Sequence, residues 1–207
     1  MAIRTGSTIM ENVEVYNCSQ IDTQKAAIRW EGATAKHSEV TNCTFHNGYS
    51  WGVYIKSSSN ILFRDNIVFN FRPVGINLSN TKNVTIDHNF IGNIKQRINL
   101  ETDTALEDKE AGLVTCTYFG KEKCPETWVT NNIVGGCFWV GMTLVGHECD
   151  KPELSKTTGN VVHSINRSSG GVGAIITPDY SSSKQTSTCF EASGIISYKN
   201  HYQGVHW

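Results

Sequence analysis

One residue type returns along this chain at a nearly constant interval, and that limits the fold more than anything else in the sequence. Asn stands at 17, 42, 66, 89, 132, 160 and 200 inside a shared phrase, which at 42, 66 and 89 runs one or two apolar residues, the Asn, then an apolar residue or Cys. The phrase reads VEVYNCS, EVTNCTF, FRDNIVF, IDHNFIG, WVTNNIV, TTGNVVH and ISYKNHY, and the first three intervals are 25, 24 and 23 residues. The later, longer intervals read as one turn plus an inserted loop. A second column keeps step: AIRW at 27–30, GVYI at 52–55 and GINL at 75–78, with looser versions at 140–142 and 173–176. AGLVT at 111–115 is the same element displaced by an insertion.

A period in the low twenties marks a solenoid. Its strands are too short to bury an apolar face alone, but stacked coil on coil they can, about 4.8 Å apart. Composition agrees on strand type: Val and Ile total 34, against 7 Leu and 9 Ala, while Gly and Asn number 18 each. β-Branched residues favour pleated strands and Gly and Asn favour turns, so a mostly helical protein is excluded. The expected fold is all-β: a single-stranded right-handed parallel β-helix of roughly 30–35 Å at that rise. Within GVYI and GINL, Val53, Ile55, Ile76 and Leu78 are expected to face inward, with Tyr54 and Asn77 outward.

The recurring Asn has a physical reason. A stacked amide donates to one neighbouring coil and accepts from the other while holding the bend between strands. Asn17, Asn42, Asn66, Asn89, Asn132, Asn160 and Asn200 are therefore expected to form one buried ladder. The reading of the whole chain is one domain, with regular coils over about 10–94, a charged insertion over about 93–126 and loop-decorated coils over 127–207. The insertion holds 12 of the 37 charged residues, and TALEDKEA at 104–111 suits a short helix. Further insertions are expected at 146–158 and 177–193.

Several function classes fall away. A formal charge of −1 offers no footprint for nucleic acid or an anionic membrane. No run approaches the roughly 20 apolar residues of a membrane span, and the first ten residues lack the apolar core of a signal peptide. If the chain is exported, the signal is expected upstream on a longer polypeptide. The seven Cys include no C-x-x-C pair and no zinc spacing, so no metal or other cofactor is expected.

In the ladder register Cys18 and Cys43 lie one above the other on adjacent coils. That spacing suits a disulfide or a buried thiol stack equally. Cys116 and Cys124 both fall in the charged insertion, where a bond would staple it, and Cys137 has no assigned partner. Five N-x-S/T sequons begin at Asn17, Asn42, Asn77, Asn83 and Asn166. Asn17 and Asn42 are expected to be buried and closed to glycan. Asn166 in its loop, the outward Asn77 and the turn residue Asn83 are the candidate N-glycosylation sites.

Two other readings compete. Cleaving a glycan needs paired carboxylates, or a base with calcium-binding acids. Asp87–His88, His147–Glu148–Cys149–Asp150, His163 and Asp179 are the candidates, and they form no recognised catalytic set. Sugar binding would use Trp30, Trp51, Tyr54, Trp128 and Trp139 if they face outward, although packing in the core or under loops is the commoner fate of such rings.

The C-terminal half is more specific than a generic solenoid. VTNNIVGGCFWVGMTLVGHEC at 129–149 precedes GNVVHSINRSSGGVGAIITPD at 159–179 and CFEASGIISYKNHYQGV at 189–205. This ordered series resembles the parallel β-helix region of the fibrocystin and fibrocystin-L family, over most of 84–207. The resemblance implies a segment of a very large extracellular protein, at a cell surface or on cilia, not regarded as an enzyme. It implies a Cys149–Cys189 pair, since the two occupy the family's GH-x-C and C-x-E positions. It also implies partners among neighbouring domains or other surface and filament proteins, with glycans as a further possibility. More distant β-helices that degrade hyaluronan keep an enzymatic alternative open.

Overall fold

In the computed structural model, which describes residues 1–4, 6–21, 25–32, 37–96, 110–116, 124–145, 147–148, 155–167, 170–177 and 188–206, the short β-branched runs become strands of three parallel sheets. Each coil visits sheets A, B and C in turn. Sheet A stacks β1 (Ala2–Ile3), β4 (Ile28–Glu31), β7 (Val53–Lys56), β10 (Ile76–Ser79), β13 (Ala111–Thr115), β16 (Val140–Val145), β20 (Val172–Thr177) and β24 (Gln203–His206). Sheet B stacks β2 (Ile9–Glu11), β5 (Ser38–Thr41), β8 (Ser59–Arg64), β11 (Lys82–Asp87), β14 (Thr127–Thr130), β18 (Ser155–Thr158) and β22 (Ala192–Ser193). Sheet C stacks β3 (Glu14–Tyr16), β6 (Thr44–His46), β9 (Ile67–Phe69), β12 (Phe90–Gly92), β15 (Ile133–Gly135), β19 (Val161–His163) and β23 (Ile196–Tyr198). A small antiparallel pair, β17 (His147–Glu148) with β21 (Thr188–Cys189), stands apart.

The core lies between the sheets and follows the expected alternation. Val53, Ile55, Ile76 and Leu78 point inward from sheet A and are fully buried; Phe63, Val84 and Ile86 meet them from sheet B, and Phe45, Val68 and Ile91 from sheet C. Trp30 aligns with Ile55 and is a core residue. Where sheet C turns into sheet A, Gly52, Gly75, Gly112, Gly141 and Gly173 stack at one corner, each just before the inward residue of its strand. Close approach requires them. A Cβ on Gly75 would lie 2.5 Å from the Gly112 carbonyl oxygen and 2.7 Å from Cγ2 of Ile91; on Gly112 it would lie 2.4 Å from Cγ1 of Val134.

The bend between sheets B and C holds the amide ladder, through fewer residues than expected. Each coil in fact carries Asn-rich columns of different kinds. The innermost position, just before each sheet C strand, is filled by Val13, Cys43, Asn66, Asn89, Asn132, Asn160 and Ile195. Asn66, Asn89, Asn132 and Asn160 are buried there. Asn89 Nδ2 donates to Phe63 O at 3.0 Å and to Asn132 Oδ1 at 3.0 Å, while its Oδ1 accepts Asn66 N–H at 3.0 Å and Asn66 Nδ2 at 3.2 Å. Asn132 makes the same four bonds one coil further on, to Ile86 O, Asn160 and Asn89. Each interior amide is thus fully satisfied.

Asn42, Asn17 and Asn200 stand elsewhere. Asn42 is exposed in a column of left-handed residues just before the ladder, with Asn12, Asp65, His88, Asn131, Gly159 and Gly194, all with φ between 52° and 67°. Asn17 is exposed in a second left-handed column after sheet C, with Asn47, Asn70 and Asn93. Asn200 follows that second column, and its Oδ1 accepts Ile165 N–H at 3.3 Å. The physical reason is shared chemistry: a short amide side chain suits a left-handed bend as well as a buried ladder, so three columns look alike in sequence.

The charged stretch at 93–126 is interrupted by β13, a fully buried strand of sheet A. Of the helix expected at 104–111, residues 104–109 lie outside the described residues, and Ala111 opens β13. No helix among the described residues is long and apolar enough to cross a membrane.

Candidate functional site

The ridge where sheet B turns into sheet C carries a polar network that links three successive coils. Strands β8, β11 and β14 end in Arg64, Asp87 and Thr130, which are in register. The next residue of each coil, Asp65, His88 and Asn131, bends left-handed and projects at the ridge. Asp87 Oδ1 accepts from Thr130 Oγ1 at 2.5 Å and Asn131 Nδ2 at 3.1 Å, and Arg64 Nε lies 3.7 Å from Asp87 Oδ2. His88 Nδ1 hydrogen-bonds Asp65 Oδ1, tying two coils together.

Beside this ridge runs the outer face of sheet C, which is apolar across its central strands β9, β12 and β15, where a solvated sheet face is normally polar. Ile67, Phe90 and Ile133 open consecutive strands and are 43%, 40% and 42% exposed. Phe69 and Phe90 stack with centroids 6.5 Å apart, and Tyr16–His46 and His163–Tyr198 stack toward either end. Ridge and face together bound a groove of about 310 Å³ lined by Asp65, Asn66, Ile67, His88, Asn89, Phe90, Asn131 and Ile133. Sequence reasoning passed over this face, although its signal was present. The runs NIVF and NFIG carry apolar residues at consecutive positions, so one of them must face outward.

A family model for a right-handed β-helix region matches residues 1–177. The chain belongs to the right-handed β-helix family. No curated protein and no solved structure matches it.

Within this β-helix the cysteines divide in a definite way. Cys116 and Cys124 are joined, with Cα atoms 6.1 Å apart, so the bond closes the loop after β13. Cys18 and Cys43 are both free thiols and do not stack, which corrects the alternative of a disulfide between them. Cys43 fills the ladder position before β6, whereas Cys18 lies beyond β3, at the other end of the sheet C strand. Cys189 is disulfide-bonded, while Cys149 lies outside the described residues. Cys137 is a buried free thiol whose pKa burial pushes up to about 12. Partial burial also raises that of Cys18.

The sequons are redistributed. Asn77 is not outward in the solvent sense: it points away from the core, yet it is wholly buried, among Tyr54, Val114 and their neighbours. Neither its Oδ1 nor its Nδ2 has a hydrogen-bond partner. No glycan can be carried there. Asn17 and Asn42, expected to be closed, are exposed, as are Asn83 and Asn166.

Of the rings considered for sugar stacking, Trp30, Trp51 and Tyr54 are buried, and Trp51 packs edge-on against Tyr54 at 4.7 Å. Trp128 and Trp139 are half-buried, with the Arg167 guanidinium 4.6 Å over Trp139. None of these five lines the groove. Asp87 and His88 both stand on the ridge but take different partners, Thr130 and Asn131 for Asp87 and Asp65 for His88, while His163 stacks on Tyr198 in sheet C. His147 and Glu148 form β17, and Asp150 and Asp179 lie outside the described residues. Among the described residues no three His, Cys, Asp or Glu side chains gather as a metal site. The Glu31 carboxyl is held below its usual range, first by the hydrogen bond from Arg29 at 2.8 Å.

Proposed function

We propose that this β-helix is a rigid structural module of a large extracellular, fibrocystin-like surface protein, acting as a spacer or filament component at a cell or ciliary surface. The observation that carries the reading is the unbroken amide relay from Asn66 to Asn160, which crosses four coils with no unsatisfied interior amide. A relay of this kind fixes the spacing and rotation of each coil, which is what a spacer requires. The Cys116–Cys124 bond supports an oxidising compartment. The ordered phrases of the C-terminal half support the fibrocystin-like assignment.

Two measurements test it together. Dyes placed at the exposed positions Glu11 and Lys199, six coil spacings apart, are expected to report one narrow distance near 30 Å. Incubation with hyaluronan or pectin is expected to release no new chain ends. A broad distance distribution overturns the rigid module, and turnover of either polymer restores the enzymatic alternative.

A further inference from the structure

We propose that the groove between the ridge and the outer face of sheet C binds an uncharged, pyranose-based glycan, seated on Phe90 and hydrogen-bonded by Asp65, His88 and Asn131. The inference rests on the surface-module reading and names a ligand for that surface.

The floor has the right chemistry. Ile67, Phe90 and Ile133 repeat about every 4.8 Å along the axis, forming a strip that follows the rod. Gly92 shapes the strip: Cε1 of Phe90 sits 2.9 Å from where a Cβ on Gly92 would stand, so the ring lies down across its own strand. A flat ring beside two aliphatic side chains matches the apolar C–H face of a sugar. The wall supplies the complement. Asp65, His88 and Asn131 are planar polar groups on successive coils, and the Asp65–His88 bond holds two of them in place before a ligand arrives. Such groups hydrogen-bond neighbouring hydroxyls or an N-acetyl amide.

Charge and size narrow the occupant. The one arginine at the ridge, Arg64, is drawn to Asp87, and Asp65 adds a second carboxylate. A polyanion would therefore meet net negative charge, whereas a neutral glycan meets none. A protein partner fits poorly. Seven three-residue strands span about 29 Å by 10 Å, roughly 300 Å², against the roughly 800 Å² per partner of a stable protein interface. The groove, about 310 Å³, is at the lower end for small-ligand sites, a size for one or two sugar rings of a longer chain.

The test is calorimetric titration of the intact chain with tetramers of β-1,4-linked N-acetylglucosamine, glucose and mannose, and with polygalacturonate as the anionic control. At least one neutral tetramer is expected to bind saturably, with the control silent. Phe90→Ala is expected to weaken binding tenfold or more, and His88→Ala several-fold. Phe90→Leu keeps apolar bulk and must also weaken binding, which guards against a folding defect in the alanine variant. No saturable binding by any neutral tetramer overturns the proposal, as does unchanged affinity in both Phe90 variants or a preference for polygalacturonate. Failure here is distinguishable from failure of the structural reading, which the dye distance and the absence of turnover test separately.

Discussion

Replacing Asn132 with Ala should be among the costliest single changes available to this protein, and the size of the effect follows from its four bonds. Its Oδ1 accepts Asn89 N–H and Asn89 Nδ2, both at 3.0 Å. Its Nδ2 donates to Ile86 O at 2.9 Å and Asn160 Oδ1 at 3.0 Å. Alanine leaves two buried donors on Asn89 with no acceptor and removes one donor each from Ile86 O and Asn160 Oδ1. At about 1–3 kcal/mol per orphaned buried donor, the expected loss for the two is about 2–6 kcal/mol. Asn42→Ala changes an exposed left-handed residue, and the backbone preference costs only about 1 kcal/mol. The assay is urea denaturation of both variants, with stability read from midpoint and slope. Equal losses for the two, or a loss below about 1 kcal/mol for Asn132→Ala, would refute the ladder as described.

Other perturbations probe different parts of the structure. Gly75→Ala places a Cβ 2.5 Å from the Gly112 carbonyl oxygen, so thermal unfolding should show a loss of about 1–3 kcal/mol or more. Asn77→Leu removes a buried amide with no partners and should raise stability by about 1–3 kcal/mol, seen as a higher Tm. Burial raises the Cys137 thiol from 9.0 to about 12 in the fold, so the native state holds this proton more tightly. Its contribution to stability is therefore complete below pH 9 and is lost as pH rises from 9 toward 12. Alkylation at pH 8 should modify Cys18 before Cys137.

The β-helix was legible because its period is carried by residues with no alternative partner: Val53, Ile55, Ile76 and Leu78 must bury the same face coil after coil. The ladder was legible at Asn66, Asn89, Asn132 and Asn160, where the intervals are clean or lengthened by recognisable loops. It was misread at Asn17, Asn42 and Asn200 because a left-handed bend selects the same amide. That error alone placed Cys18 over Cys43 and closed two exposed sequons. Asn77 shows a different limit. Alternation correctly turned it away from the core, but whether an outward residue meets water depends on what packs over the sheet. The groove was hidden for a related reason: apolar residues such as Ile67 and Phe90 read as core until the strand geometry shows which face they take.

The most direct test of the stapled β-helix and of its proposed extracellular role is non-reduced peptide mapping of the native protein, glycopeptides included. The account predicts a Cys116–Cys124 bond, free thiols at Cys18, Cys43 and Cys137, and N-glycan confined to Asn17, Asn42, Asn83 or Asn166. Glycan on Asn77, or a Cys18–Cys43 bond, would contradict the fold. Every thiol free and every sequon bare would contradict the extracellular role.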